Sequence, residues 1–206
     1  PDYWDGAPAI DRLLLAITTE PNVRQQRLKA GDCQIALYPR PVDIPALKAD
    51  ARLQVLELDS LLTAYIGINT RHPPLDDVRV RQALNLAFDK AAYIRAQYGE
   101  GNASPAVAPY PATLWGYDEE LQDWPHDIER ARQLLGETGR KSGFKLSIWT
   151  RPGGGPTNPN PGIGAQMLQA DLARLGIASD IRVFEWGELI KRAKNGEHDL
   201  VFMGWA

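Results

Sequence analysis

The side chains best suited to proton transfer or metal binding are scattered along this sequence, and their spacing does not favour catalysis. The three histidines, His72, His126 and His198, lie in turns rich in proline or charge, and none has a second ligand at the spacing of a zinc site. Glu185 and Glu188 are three residues apart and imitate a hydrolase carboxylate pair, but Glu188 is better explained as a favourable charge at a helix start. We predict no enzyme, metal or cofactor, and keep a hydrolase using both glutamates as an alternative.

A run of three glycines, Gly153 to Gly155, is the second feature that suggests chemistry, because glycine-rich loops often bind phosphate. The phosphate-binding motif requires Gly-Lys-Ser/Thr leading into a helix, whereas Pro156 follows here. The glycines instead predict a flexible loop, or one whose backbone another group approaches closely.

Composition excludes several functional classes. Of the 206 residues, 44% are hydrophobic and 24% are charged, as in ordinary globular proteins. The net charge of −3 gives no attraction to nucleic acid or to an anionic membrane. The single cysteine, Cys33, excludes an internal disulfide, and the apolar residues after it predict a buried, inert thiol. Because no leader precedes Pro1 and the chain stops directly after an apolar run, we expect a piece of a longer protein.

Strands alternate with helices along the chain, which predicts an α/β fold with a mixed sheet. We predict strands at residues 13–18, 34–37, 53–58, 65–69, 144–149, 181–184 and 200–203. We predict helices at residues 19–31, 41–50, 77–94, 127–139, 167–175 and 187–194. The first strand, helix and second strand form one strand-helix-strand unit.

Residues 65–94 form the most informative stretch. After an apolar strand, Pro73-Pro74 fixes a turn, and Asp76 or Asp77 supplies the N-cap of a helix. The apolar positions beyond the cap recur every three or four residues and predict one continuous amphipathic helix, with Asp89 on its solvent side. These positions are Val80, Leu84, Ala87, Ala91 and Ile94.

The residues Pro73-Pro-Leu-Asp-Asp-Val-Arg-Val-Arg-Gln-Ala-Leu84 closely resemble a signature of the bacterial extracellular solute-binding proteins of family 5, which supply peptides or nickel to ABC importers. The dipeptide-binding branch is the most similar. Further matching blocks follow in order along essentially the whole chain. They include Trp115-Gly-Tyr117, the helix at 127–139, the strand at 144–149, Asn158-Pro-Asn160, residues 167–176 and 185–199, and Met203-Gly-Trp205.

This resemblance implies a lobe of the type II periplasmic binding protein fold, with a mixed sheet flanked by helices, and part of a first lobe. Residues 1–59 would be the C-terminal part of the first lobe up to the hinge, and residues 60–206 the second lobe. The implied function is to capture short peptides, dipeptides first among them, between the lobes in the periplasm and deliver them to permease subunits at the inner membrane. The full-length protein is expected to be a monomer without cofactors or nucleic-acid partners.

The resemblance also implies the ligand-binding residues. It places Gly204, Trp205 and Ala206 at the strand end that contacts the ligand, with Trp186 and Trp115 as further contacts or, alternatively, ordinary packing residues. An acidic residue that binds the peptide amine is expected beyond Ala206.

The second expected anchor is an arginine that binds the peptide carboxylate, and at its position this sequence has Gly155. Arg151 lies four residues earlier in the same loop, and its guanidinium suits a bidentate contact with a carboxylate; otherwise it is a solvated loop arginine. The departure at Gly155 also admits a longer or antimicrobial peptide, an opine, haem or nickel, nickel being the least favoured because no histidine has a suitable position. A protein-interaction domain without a small ligand is the remaining alternative.

Overall fold

The computed structural model of the chain describes residues 4–139 and 144–205. The chain divides into two compact units, Pro1–Pro39 and Arg40–Ala206. None of the helices in the described part of the chain is long and apolar enough to cross a membrane.

The first unit contains one helix, α1 (Pro21–Ala30), among its described residues. It begins with Pro21 in its first turn and ends at Gly31, whose φ of 82° is left-handed, in agreement with the helix predicted at residues 19–31. The guanidinium of Arg24 donates hydrogen bonds to the carbonyl oxygens of Thr18, Thr19 and Tyr38, at 2.8, 2.9 and 3.1 Å. Arg24 thereby ties together the segments before and after the helix.

The two strands predicted in this unit, at residues 13–18 and 34–37, are absent from the structure. Their apolar side chains are exposed, with Ile17 at 95%, and Cys33 is half-buried rather than part of a core. Strand propensity measures how well a side chain packs on a paired, half-buried surface. Among residues 4–39 the structure has no such pairing, so apolar composition alone gave the wrong prediction.

The second unit is built on a four-stranded mixed sheet, as predicted. Its strands are β1 (Thr63–Ile68), β2 (Lys145–Thr150), β3 (Ala178–Val183) and β4 (Leu200–Trp205), in the order β1-β4-β2-β3. Strand β2 runs parallel to both β3 and β4, whereas β1 is antiparallel to β4. The strand predicted at residues 53–58 is not formed; Leu58 there is fully exposed.

Six helices of this unit lie in the described residues. They are α2 (Ile44–Lys48), which follows a 3₁₀ turn at Pro41–Asp43, α3 (Val78–Ala87), α4 (Lys90–Tyr98), α5 (Ile128–Glu137), α6 (Pro161–Arg174) and α7 (Trp186–Lys194). Side-chain oxygens of Asp77, Asp89, Asp127 and Asn160 accept hydrogen bonds from backbone amides in the first turns of α3, α4, α5 and α6.

The continuous helix predicted over residues 77–94 is in fact two helices, α3 and α4. Phe88 is extended (φ −75°, ψ 116°), and Asp89 caps the new helix by accepting from the Ala92 amide at 2.8 Å. The amide of Asp89 donates to Asp171 of α6 at 3.1 Å. The break is therefore stabilised by a contact with a distant helix, which the helical periodicity does not reveal.

Side chains alternate across the sheet and build a core on each face. Leu146, Ile148 and Phe202 pack with α3, α4, α5 and α6 on one face. Trp149 packs on the other face, together with Val201 and with Leu189 of α7. Strand β2 is buried on both faces, as expected for a central strand with helices on either side.

The carboxylate of Asp199 joins three parts of this unit at the start of β4. Its Oδ2 accepts hydrogen bonds from the amide and the hydroxyl of Ser147, both at 2.8 Å, and its Oδ1 lies 3.0 Å from Nδ1 of His72. The backbone carbonyl of Asp199 accepts from the Asn69 amide at 2.9 Å. Burial alone would raise the pKa of Asp199, but the hydrogen bonds from Ser147 and His72 outweigh it and hold this pKa below its usual value.

We expect Asp199→Asn to lower the free energy of unfolding at neutral pH by about 1–3 kcal/mol, because the buried donors of Ser147 and the partly exposed ring of His72 lose a charged acceptor. A lowered folded-state pKa stabilises the fold above the unfolded-state pKa, and this contribution disappears as the pH falls through the folded-state value. The difference between the variant and the unmodified chain should therefore shrink in acid. Urea unfolding at several pH values measures it.

Asp180→Asn is the matched control. Asp180 on β3 also has two basic partners, Arg182 and Lys145, but it is close to solvent. Its substitution should change the unfolding free energy by less than about 0.5 kcal/mol. Equal losses for the two variants would contradict the stabilising role of Asp199.

Candidate functional site

The carboxyl ends of the three parallel strands meet at one edge of the sheet. Arg151 follows β2, Trp186 begins α7 shortly after β3, and Gly204 and Trp205 end β4. In open α/β sheets, ligands bind in the crevice outside the carboxyl ends of parallel strands. Four residues predicted from the resemblance therefore lie at the edge where a ligand site is expected.

The guanidinium of Arg151 lies over the ring of Trp186, with 5.3 Å between the guanidinium carbon and the ring centroid. This distance is typical of a cation–π contact. Arg151 is half-buried, and no carboxylate in the described part of the chain forms an ion pair with it. The site thus presents a positioned cation whose hydrogen-bond donors are available to an anionic group.

The loop after β2 folds back on itself as a small hairpin. The amide of Gly155 donates to the carbonyl of Asn158 at 3.0 Å, and the amide of Asn158 donates to the carbonyl of Gly155 at 3.2 Å. A β-carbon at position 155 would overlap with Nη2 of Arg151. The arginine therefore lies directly against the Gly155 backbone, which is the second of the two alternatives that the glycine run left open.

The same loop covers the end of β4. The side chain of Thr157 packs so closely on Gly204 that a β-carbon at 204 would overlap with it. Trp205, the next residue, is 70% exposed, and Trp186 is 46% exposed. Two large aromatic side chains thus remain accessible beside the loop.

Two side chains of helix α4 form hydrogen bonds with the backbone at the C-terminal end of this loop. The buried side chain of Gln97 donates from Nε2 to the carbonyl of Asn160 at 2.9 Å and accepts from the Asn160 amide at 2.8 Å. The hydroxyl of Tyr98 donates to the carbonyl of Thr157 at 2.6 Å. Burial raises the pKa of Tyr98 to about 12, so this donor keeps its proton at ordinary pH. Neither Gln97 nor Tyr98 could be assigned a role from the sequence, because their partners lie about 60 residues away and leave no local pattern.

The structure does not bring every predicted contact to this edge. Trp115 is 95% exposed and lines a shallow depression with Tyr110 and Leu114. Across residues 4–139 and 144–205, no hydrogen bond, ion pair or ring contact joins it to the Arg151 loop. Ala206 lies outside the described residues.

The side chains of the types used in hydrolysis make contacts that stabilise the fold. Glu188 lies in the first turn of α7 and pairs with Arg192 at 3.9 Å, as expected of a helix-stabilising charge. The buried hydroxyl of Ser147 donates to the carboxylate of Asp199 at 2.8 Å and accepts from Nε1 of Trp149 at 3.0 Å, so its hydrogen bonds serve the packing of the sheet.

Comparison with known proteins identifies the family. The family model for bacterial extracellular solute-binding proteins, family 5 Middle, matches residues 1–206. The chain is 54% identical over 206 residues to probable di/tripeptide-binding protein 5 of Pseudomonas aeruginosa, covering 100% of this chain and 38% of that protein. It is 43% identical over 203 residues to the dipeptide-binding protein of Escherichia coli (strain K12), covering 98% of this chain and 38% of that protein.

A solved structure agrees with these matches. The dipeptide-binding protein of Pseudoalteromonas sp. SM9913, in complex with Met-Leu, superposes with a TM-score of 0.82 at 32% identity, over 92% of this chain and 37% of that one. The predicted fold class, a periplasmic binding protein lobe with a mixed sheet flanked by helices, is confirmed. The chain spans somewhat more than a third of the length of these relatives. This chain belongs to the bacterial extracellular solute-binding proteins of family 5.

Proposed function

We propose that this chain is part of the substrate-binding component of an ABC importer that captures short peptides. The observation that carries the proposal is the guanidinium of Arg151, which lies without a carboxylate partner among the described residues at the ligand edge of the sheet. Relatives named as di/tripeptide-binding proteins match the chain over its whole length. A cation at this edge is suited to the C-terminal carboxylate of a peptide.

Peptides of varying sequence share only their backbone and their charged termini. A protein that accepts many of them binds these common groups and provides roomy pockets for the side chains. Arg151 is suited to hold the carboxylate through two parallel hydrogen bonds. Trp205 and Trp186 offer apolar faces with polar edges, and Gly204 lets Thr157 of the loop approach the strand end closely.

The absence of an arginine at position 155 is compatible with this proposal, because Arg151 folds back against Gly155. We propose that Arg151 supplies the carboxylate contact from its earlier position in the loop. Ala206 and Trp115 remain proposed ligand contacts on resemblance alone.

We propose that residues 1–59 belong to the first lobe and residues 60–206 to the second, with the peptide bound between them. Peptide binding would favour the closed arrangement because the closed form makes more contacts with the ligand. In this scheme the protein works in the periplasm and passes its peptide to permease subunits at the inner membrane. We propose no catalytic role for the protein. Because Glu188 is not among the proposed ligand contacts, Glu188→Gln should leave peptide binding intact.

Native mass spectrometry of the full-length protein, purified from cells, tests the proposed function. We expect bound species with the masses of about two to five amino acids, lost on partial denaturation, because a cleft that binds shared backbone groups retains cellular peptides. A protein that carries no such species and also binds no member of a dipeptide library would refute peptide capture.

A second prediction concerns the carboxylate contact. In the full-length protein, Arg151→Ala should weaken binding of a dipeptide with a free carboxylate at least tenfold, about 1.4 kcal/mol. Binding of the same peptide with an amidated C-terminus should change little, because the amide offers no charge to the guanidinium. Isothermal titration calorimetry with both peptides measures the difference.

Arg130→Ala is the control for this prediction, since Arg130 is an exposed arginine on α5 that pairs only loosely with Glu137, at 3.7 Å. It should leave both affinities unchanged. If Arg151→Ala weakens the free and the amidated peptide equally, Arg151 does not bind the carboxylate.

A further inference from the structure

We infer that Gly155 and Trp186 are positioning residues for Arg151, and that Gly155 determines specificity for a free carboxylate because its lack of a side chain leaves room for the guanidinium. This inference deepens the proposed function and rests on it. The two residues act on the ligand through Arg151.

The three glycines of the loop are required for three different reasons. Gly153 has a φ of 67°, a left-handed conformation that favours glycine. At Gly154 a β-carbon would overlap with the backbone carbonyl oxygen of Pro159. At Gly155 the three nearest atoms to an added β-carbon all belong to the guanidinium group of Arg151.

The lack of a side chain at Gly155 therefore leaves room for the guanidinium of Arg151. Its φ is not among the positive values of the chain, so alanine fits the same backbone conformation. The group that alanine would displace is the end of a long, flexible side chain, which can rotate away at little cost to the fold. A substitution at this position should move the cation while leaving the hairpin intact.

Trp186 provides a second contact for the guanidinium, through the face of its ring. A guanidinium that stacks on an aromatic ring presents one face to the ring and keeps its N–H donors in the plane, where a carboxylate can accept two of them. Trp186 begins α7, which is anchored in the core by the fully buried Leu189. The ring therefore offers a fixed surface, and the arginine loses less conformational freedom when a ligand binds.

The test measures binding of Met-Leu and of its C-terminal amide to the full-length protein and its variants by calorimetry. We expect Gly155→Ala to weaken Met-Leu about tenfold while the amide and the unfolding midpoint change little. Gly187→Ala is the matched control, because Gly187 adjoins Trp186 and a β-carbon there would meet nothing within 4 Å. It should leave both affinities unchanged.

Two further variants separate positioning from a general disturbance of the loop. In the Arg151→Ala background, Gly155→Ala should have no additional effect, because the displaced group is already gone. Trp186→Phe should retain most of the preference for the free carboxylate, since phenylalanine still offers an aromatic face, whereas Trp186→Ala should lose it.

The outcomes distinguish this inference from the proposed function. Equal losses for Met-Leu and its amide, or additive losses in the double variant, would overturn the positioning role while peptide binding stands. An unmodified protein that binds neither Met-Leu nor any other short peptide would refute the proposed function, and the inference would fall with it.

Discussion

The position of the candidate site depends on the hydrogen bonds between Asp199 and Ser147. Strands β2 and β4 pair directly through only two residue pairs, Ile148 with Leu200 and Trp149 with Val201. The carboxylate of Asp199 lengthens this short junction by binding the amide and hydroxyl of Ser147. Because β2 leads to the Arg151 loop and the last residues of β4 include Gly204 beneath that loop, the register of these strands decides whether the two parts of the site meet.

A second constraint is the set of hydrogen bonds that holds the loop after β2 in place. Its far end is held by Gln97 and Tyr98, and its near end continues from the buried strand β2. Ordering a loop on ligand binding costs conformational entropy, so a loop that is already fastened binds more tightly for the same contacts. If the loop binds a ligand as proposed, the polar side chains of α4 contribute to recognition by holding the loop in place beforehand.

Features set by short stretches of sequence could be predicted, and features set by distant contacts could not. The Asp77 cap, the presence of strand β2, the C-terminal part of α6 and the mixed sheet followed from local patterns and agree with the structure. The burial of β2 on both faces and the start of α6 at Pro161 did not follow from them. The break at Phe88 was missed because part of its support comes from Asp171 on another helix. For the site, the resemblance pointed to the loop and strand end that lie at one edge of the sheet, and the glycine run left open a close approach. The contact of Arg151 with Gly155 depends on how the loop folds back, which no local sequence pattern determines.

The contact between Gly155 and Arg151 has a consequence for how ligand preference can diverge among relatives. Most substitutions destabilise a protein, and selection removes those that fall below the stability that function requires. At position 155 the atoms that a new side chain would displace belong to the end of a flexible side chain instead of the backbone. If Arg151 has the proposed role, substitutions at this position would change ligand preference with little loss of folded protein. Evolution could then alter what such a protein binds without first needing a stabilising mutation elsewhere.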